Sequence, residues 1–112
     1  MRIVHYDPDG AGLAHNDTVY VQGIFGRDEM AGRVGYGCCW AILKPGMAVE
    51  PHSHPSLEVY VFTRGEGVMA IGDERQAVRA GDTVLVPRGA VHSAANAAEA
   101  AEDLAWFSLG VE

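Results

Sequence analysis

Residues 46–65 read GMAVEPHSHPSLEVYVFTRG, a segment in which a His-x-His pair precedes a run typical of a β-strand. The imidazoles of His52 and His54 leave the same face of an extended backbone, because alternate side chains of a strand point the same way. Pro55 interrupts this regularity, and the strand that follows carries Glu58. The segment therefore predicts that two imidazoles and a carboxylate lie close together.

Residues 81–96, GDTVLVPRGAVHSAAN, supply a third imidazole, that of His92, from a different predicted strand. Three neutral ring nitrogens and one carboxylate form a mixed donor set that suits a borderline divalent ion such as Mn, Fe, Co, Ni, Cu or Zn. The spacing of the donors does not choose among these metals. The other histidines, His5 and His15, have no comparable partners, and we interpret them as surface or core residues.

Short apolar runs separated by turn residues make up most of the chain. Its 112 residues include fourteen glycines and five prolines, which indicates one domain, residues 1–112, and an all-β sandwich or barrel. Gly72 and Asp73 predict a two-residue hairpin turn, and the alanine-rich segment 94–101 is predicted as a solvated loop before the last strand. The predicted strands are 18–24, 33–44, 57–63, 67–71, 75–79, 83–87, 92–95 and 104–109.

Charge and composition limit the partners and the compartment. The formal net charge is -7 and the pI is near 5.1, so nucleic acid and anionic membranes are poor partners for the summed negative field. No apolar stretch approaches the length of a bilayer span, and the N-terminus has no signal-peptide block, so we expect a cytoplasmic protein. Cys38 and Cys39 are adjacent, where a disulfide is strained, and are expected to be free thiols.

The two segments resemble the motifs of the cupin family without a gap. The first matches Gly-x5-His-x-His-x3-Glu-x6-Gly over residues 46–65, and the second matches Gly-x5-Pro-x-Gly-x2-His-x3-Asn over residues 81–96. The resemblance implies an antiparallel jelly-roll β-barrel that forms a homodimer. It also implies metal ligands at the open end of the barrel, which are His52, His54, Glu58 and His92.

Other motif positions have structural interpretations. Gly46, Gly65, Gly81 and Gly89 are interpreted as turn glycines that serve backbone shape. Asn96 is interpreted as a loop residue that bonds its own backbone at the end of a strand.

The strands beside the predicted ligands indicate the character of the substrate. Tyr60 and Phe62 share a strand face with Glu58, and Trp106 and Ser108 lie on the last strand. Together they predict an aromatic pocket with few charges, which favours a small apolar or aromatic metabolite over a sugar phosphate. The alternative is that these aromatic side chains only pack the barrel.

Four protein ligands leave two positions of an octahedral ion free, which indicates catalysis or ligand capture. The resemblance also implies that Glu58 is catalytic and takes a proton from the substrate. Three classes of function stay open. The first is a dioxygenase-type enzyme, or a related enzyme of specialised biosynthesis that forms or rearranges bonds. The second is a metal-assisted isomerase, epimerase or lyase, and the third is a non-catalytic binding or sensor module.

Overall fold

The computed structural model describes residues 1–32 and 34–112. Nearly all of the regular structure is extended, and every strand pairing is antiparallel. The predicted all-β, antiparallel class is therefore confirmed. After a short 3-10 helix (Pro8–Gly10), the strands are β1 (Gly12–Ala14), β2 (Val19–Phe25), β3 (Val34–Leu43), β4 (Leu57–Arg64), β5 (Glu66–Ile71), β6 (Glu74–Arg79), β7 (Thr83–Val86), β8 (His92–Ala95) and β9 (Leu104–Val111).

The strands form two sheets that share one core. The larger sheet has the order β1-β2-β3-β9-β4-β7, and the smaller has the order β6-β5-β8. Side chains of both sheets meet in one buried cluster, in which Leu43 and Phe62 of the larger sheet join Met69 and Ala94 of the smaller one. Apolar burial of this kind is the main favourable contribution to folding.

The eight predicted strands agree with the structure to within about two residues at each end. The predicted first residue of β3, Arg33, lies outside the described residues. The Gly72-Asp73 hairpin is confirmed, because Ile71 pairs with Glu74 across it. The three-residue β1 was not predicted, because so short a strand shows no alternation before it pairs with β2.

Strand β4 alternates between buried and half-buried side chains along most of its length. Glu58, Tyr60 and Phe62 are 2%, 4% and 1% exposed, respectively, whereas Val59 and Val61 between them are half-buried. The predicted sharing of one inner face is therefore confirmed. This strand places a carboxylate among apolar neighbours.

The four predicted turn glycines all have positive φ, between 70° and 99°. Among these four positions, Gly65, between β4 and β5, has the least room for a side chain. A Cβ atom there would lie 2.3 Å from the carbonyl oxygen of Asp103. The tight turn at Gly65 thus lets β4 and β5 pass close to the start of β9.

Asn96 has a structural role, but its partners differ from the prediction. Its side chain is buried, and its Nδ2 atom donates to the carbonyl oxygens of Leu43 (3.1 Å) and Glu102 (3.0 Å). The predicted bond to the local strand end is therefore wrong. The side chain instead ties the two ends of loop 96–103 together and attaches them to β3.

Candidate metal centre

Backbone pairing brings the first two histidines of the centre side by side. The N–H of His52 donates to the carbonyl of His92 (3.1 Å), and the N–H of His92 donates back to that of His52 (2.9 Å). This mutual pair sets the two ring centroids 4.3 Å apart. The ring of His54 lies 5.0 Å from that of His52 and 5.7 Å from that of His92, so three imidazoles converge.

Glu58 reaches the same place from β4. Its Oε1 atom lies 3.2 Å from Nε2 of His92 and 3.6 Å from Nε2 of His54. The donor atoms of His54, Glu58 and His92 lie within 4.8 Å of one another, so this group can hold a metal ion. Three of the four predicted ligands therefore form one tight group, and His52 lies at its edge.

Hydrogen bonds fix which ring nitrogen faces the centre. Nδ1 of His52 lies 2.8 Å from the Glu50 carbonyl oxygen, and Nδ1 of His92 lies 2.9 Å from that of Ala90. A carbonyl oxygen only accepts, so both Nδ1 atoms carry the hydrogen and both Nε2 atoms keep a lone pair. This is the arrangement by which proteins orient metal-binding histidines.

The facing atoms of Glu58 and His92 are the feature that fits a cation best. Oε1 of Glu58 and Nε2 of His92 are buried, and neither has a hydrogen-bond partner among the described residues. When His92 is neutral with the hydrogen on Nδ1, both are acceptors, and buried acceptors without a partner are costly. A positive charge between them, whether a proton on Nε2 of His92 or a metal ion, removes that cost, so these residues suit a divalent metal.

The pKa shifts keep Glu58 ionised and His52 neutral, which are the forms that bind a metal. Burial lowers the pKa of His52 to about 4, so the ring is neutral. Burial raises the pKa of Glu58, but His92 and His54 outweigh that effect and hold this pKa below its usual value. Burial lowers the pKa of His92, but the Glu58 carboxylate and the Ala90 carbonyl more than compensate and raise it.

Tyr36, which was not predicted as a site residue, forms a hydrogen bond to the second carboxylate oxygen of Glu58. The hydroxyl of Tyr36 donates to Oε2 of Glu58 at 3.1 Å and lies 2.6 Å from Oγ of Ser108. Because a hydroxyl has one hydrogen, Ser108 donates to Tyr36 and Tyr36 donates to Glu58. Tyr36 lies where the β3–β9 register shifts, between Val34 and Cys38, so simple alternation could not place its side chain.

A cavity of about 390 Å³ opens onto the centre and is lined mainly by apolar side chains. Of the predicted pocket residues, Tyr60, Trp106 and Ser108 line it, whereas Phe62 does not. Phe62 instead lies in the buried core, with its ring centroid 5.5 Å from that of Trp106. Among the described residues that line the cavity, Glu58 is the only charged carboxylate and there is no lysine or arginine.

His15 is the second residue that the sequence interpretation missed. Its ring stacks on that of His52, with centroids 4.1 Å apart and an angle of 26° between the planes. His15, His52 and His54 also form a group whose donor atoms lie within 4.8 Å of one another. The interpretation of His15 as a residue without partners was therefore wrong, because the unpredicted β1–β2 hairpin carries it to the mouth of the cavity. Burial, together with His54 and His92, lowers the pKa of His15.

Comparison with known proteins agrees with this fold and donor set. The family model described as Cupin domain matches residues 39–109, which is more than half of the chain. The chain therefore belongs to the cupin family, and its two sheets are the cupin jelly roll. No curated protein matches the sequence. Within residues 1–32 and 34–112, no helix has the length and hydropathy needed to cross a membrane.

Three solved structures illustrate the similarity of fold. A Cupin 2 conserved barrel domain protein from Salinispora arenicola is 20% identical, with a TM-score of 0.81 over 100% of this chain and 89% of that one. A predicted oxalate decarboxylase from Thermotoga maritima is 24% identical, with a TM-score of 0.76 over 83% and 79%. The polyketide cyclase RemF from Streptomyces resistomycificus is 14% identical, with a TM-score of 0.77 over 99% and 79%.

Proposed function

We propose that this cupin is a metal-dependent enzyme that acts on a small apolar or aromatic metabolite. The observation that carries the proposal is the buried pair of Oε1 of Glu58 and Nε2 of His92, which has no hydrogen-bond partner among the described residues and adjoins an apolar cavity. A closed structural metal site leaves no room for a substrate, whereas this donor set faces open volume. The ion and the substrate would therefore bind next to each other, the ion at the donor set and the substrate in the cavity.

Four side chains would hold the ion: His52, His54, Glu58 and His92. When bound, a divalent ion polarises a substrate oxygen, lowers the pKa of a bound water or holds a substrate beside dioxygen. Glu58 is the proposed catalytic residue, which takes a proton from the substrate. The hydrogen bond from Tyr36 holds Oε2 of Glu58 and leaves Oε1 facing the histidines. The carboxylate is thus oriented before any substrate enters.

The cavity supports the proposed substrate class. Rings of Tyr60 and Trp106 stack with centroids 5.3 Å apart and an angle of 26° between their planes, and they form an apolar wall. The volume of about 390 Å³ lies at the small end of the usual range for ligand pockets. A phosphate would need an inward-facing cation, which the described lining lacks.

Two reaction classes compete within this proposal. The first is dioxygenase-type chemistry, or bond formation and rearrangement without insertion of oxygen. The name of the structurally similar polyketide cyclase supports the bond-forming alternative. The second is an isomerase, epimerase or lyase, which the Ser108–Tyr36–Glu58 hydrogen-bond chain favours because it can stabilise a carboxylate that exchanges a proton. A binding or sensor module without catalysis is the remaining alternative.

The test begins with metal analysis by mass spectrometry on protein purified without a histidine tag. We expect close to one ion per chain in the wild type and a large loss in His54→Ala and His92→Ala. Aromatic and apolar metabolites are then screened for turnover with and without oxygen. Turnover only with oxygen supports the dioxygenase class, and undiminished anaerobic turnover supports the others. Full metal occupancy in a variant that combines His54→Ala with His92→Ala would overturn the proposed ligands.

A second variant tests the cavity separately. Tyr60→Ala is expected to weaken substrate binding and to leave the metal content unchanged, because the Tyr60 ring lines the cavity and donates no metal ligand. Phe62→Leu is the matched control, since Phe62 lies outside the lining. Loss of metal and substrate together in Tyr60→Ala would indicate a packing role instead. The homodimer and the absence of nucleic-acid and membrane partners stay predictions.

A further inference from the structure

The donor atoms at the mouth of the cavity form two overlapping groups. The inner group is His54, Glu58 and His92, and the outer group is His15, His52 and His54. Both contain His54, and an imidazole that binds a metal offers a single lone pair. Two separate ions could not each take that lone pair. One ion that takes this lone pair could therefore draw on donors of both groups, although the five donor atoms do not all lie within 4.8 Å of one another in the metal-free chain.

We propose that His15 is a fifth protein donor to the ion held by the other four residues. The inference rests on the proposed metal binding and adds a residue to it. Four protein donors leave two positions of an octahedral ion open, and His15 lies on the side that faces the cavity. It would take one of the two positions and leave the other for water or substrate.

The backbone around His15 is held in an unusual conformation. His15, Asn16 and Asp17 have φ values of 51°, 58° and 61°, which is the left-handed region for three successive residues that are not glycine. Histidine, asparagine and aspartate tolerate this region better than most residues, but each is strained there. Such strain persists only where surrounding contacts impose it, and it is frequent at functional sites.

Glu50 supplies these contacts and links the turn to His52. Its carboxylate accepts from Nδ2 of Asn16 at 2.9 and 3.1 Å, and its backbone N–H donates to Oγ1 of Thr18 at 2.8 Å. The Thr18 hydroxyl donates to the carbonyl of His15 at 2.6 Å. The carbonyl of Glu50 also accepts from Nδ1 of His52. Glu50 thus contacts the segments that carry His15 and His52, two of the three histidines of the outer group.

The test is a titration of metal-free protein with Co²⁺, in which affinity and the visible absorption spectrum are both recorded. Co²⁺ is suitable because its absorption changes with its ligands, whereas Zn²⁺ has a filled d shell. His15→Asn removes the imidazole and keeps a residue that tolerates the left-handed conformation. We expect binding to weaken by at least the roughly 10–100-fold that loss of a hydrogen-bond partner of a ligand causes, together with a changed spectrum. The matched control is His5→Asn, since His5 belongs to neither donor group, and it should match the wild type.

A second variant keeps all donors and releases the turn. Asn16→Ala removes the hydrogen bonds to Glu50, and we expect it to weaken Co²⁺ binding in the same direction but by less than His15→Asn. Thermal unfolding confirms that each variant is folded. Wild-type affinity and spectrum in His15→Asn would overturn the inference, and so would two Co²⁺ ions per wild-type chain. If the wild type itself bound no Co²⁺, the proposed function would fail first, which separates the two outcomes.

Discussion

Nε2 of His92 and Oε1 of Glu58 face each other 3.2 Å apart, and when His92 is neutral each is an acceptor without a hydrogen-bond partner among the described residues. The side chains of His92 and Glu58 are 1% and 2% exposed, so bulk water does not compensate for the missing hydrogen bonds. The metal-free chain therefore holds a local conflict that a cation removes. Metal binding should then be coupled to folding stability.

The first prediction is a metal-dependent rise in the unfolding temperature. A free metal concentration of about 100 times Kd adds about 2.7 kcal/mol to the free energy of unfolding. For a domain of this size that corresponds to a rise of roughly 10 °C. Differential scanning fluorimetry with chelator and then with each first-row metal measures it.

Glu58→Gln is the informative variant for this experiment. A glutamine amide can donate to Nε2 of His92, so at a pH where His92 is neutral the metal-free variant should be at least as stable as the metal-free wild type. The variant also lacks the carboxylate charge, so metal should raise its unfolding temperature by much less than it raises that of the wild type. An equal metal-dependent rise in Glu58→Gln would contradict a role of this carboxylate as ligand.

The second prediction concerns the hydroxyl of Tyr36. Tyr36→Phe keeps the ring and leaves Oε2 of Glu58 without this hydrogen bond, so the carboxylate is less firmly oriented. Loss of such a contact to a ligand weakens metal binding by about 10–100-fold. Competition with a chelator measures the change. Tyr6→Phe is the control, because Tyr6 packs against Trp40 and should bind metal like the wild type. Equal affinity in both variants would show that Tyr36 does not orient Glu58.

Much of the inner face of the barrel could be predicted from the sequence. Glu58, Tyr60 and Phe62 follow a period of two residues, and burial of one sheet face imposes that period directly. The convergence of His52 with His92 was predicted through the resemblance to the cupin motifs, since an extended segment alone does not show with which other segment it pairs. Their backbone pairing shows why the two rings meet.

The positions of His15 and Tyr36 depend on features that cannot be recognised from the alternation of apolar and polar residues along the sequence. His15 reaches the site through a three-residue strand and a left-handed turn that Glu50, distant in sequence, stabilises. Tyr36 reaches Glu58 through the shift in register within β3. Phe62 follows the alternation and still misses the cavity, because alternation gives the face of a strand but not the depth within the core.

The third prediction compares two glycines with positive φ. Gly65→Ala would place a Cβ atom 2.3 Å from the backbone carbonyl of Asp103, whereas Gly72→Ala meets nothing within 4 Å. Both substitutions carry the conformational cost of about 1–2 kcal/mol for a left-handed alanine. Only Gly65→Ala adds a backbone clash. Its loss of unfolding free energy should therefore exceed that of Gly72→Ala by about 1–3 kcal/mol, which is the usual cost of an overpacked site. Urea denaturation measures the difference, and equal losses would contradict the tight approach of β4 and β9.

The fourth prediction concerns the reactivity of Cys39, which lines the cavity as a free thiol. Burial, with contributions from Cys38 and Glu58, raises the pKa of Cys39 to about 11. Because the thiolate is the reactive form, alkylation by iodoacetamide at pH 8 should be about a hundredfold slower than for an exposed cysteine. The rate should then rise about tenfold per pH unit up to about pH 10.

The Cys38→Ala variant leaves Cys39 as the only cysteine and makes the rate measurable by intact-protein mass spectrometry. The same variant unfolded in urea is the control and should react at the rate of an ordinary thiol, since unfolding removes the burial that raises the pKa. Rapid labelling of the folded variant at pH 8 would show that the cavity wall around Cys39 is open to water. Such a result would weaken the proposed substrate class, because Cys39 belongs to the mainly apolar lining on which that class depends.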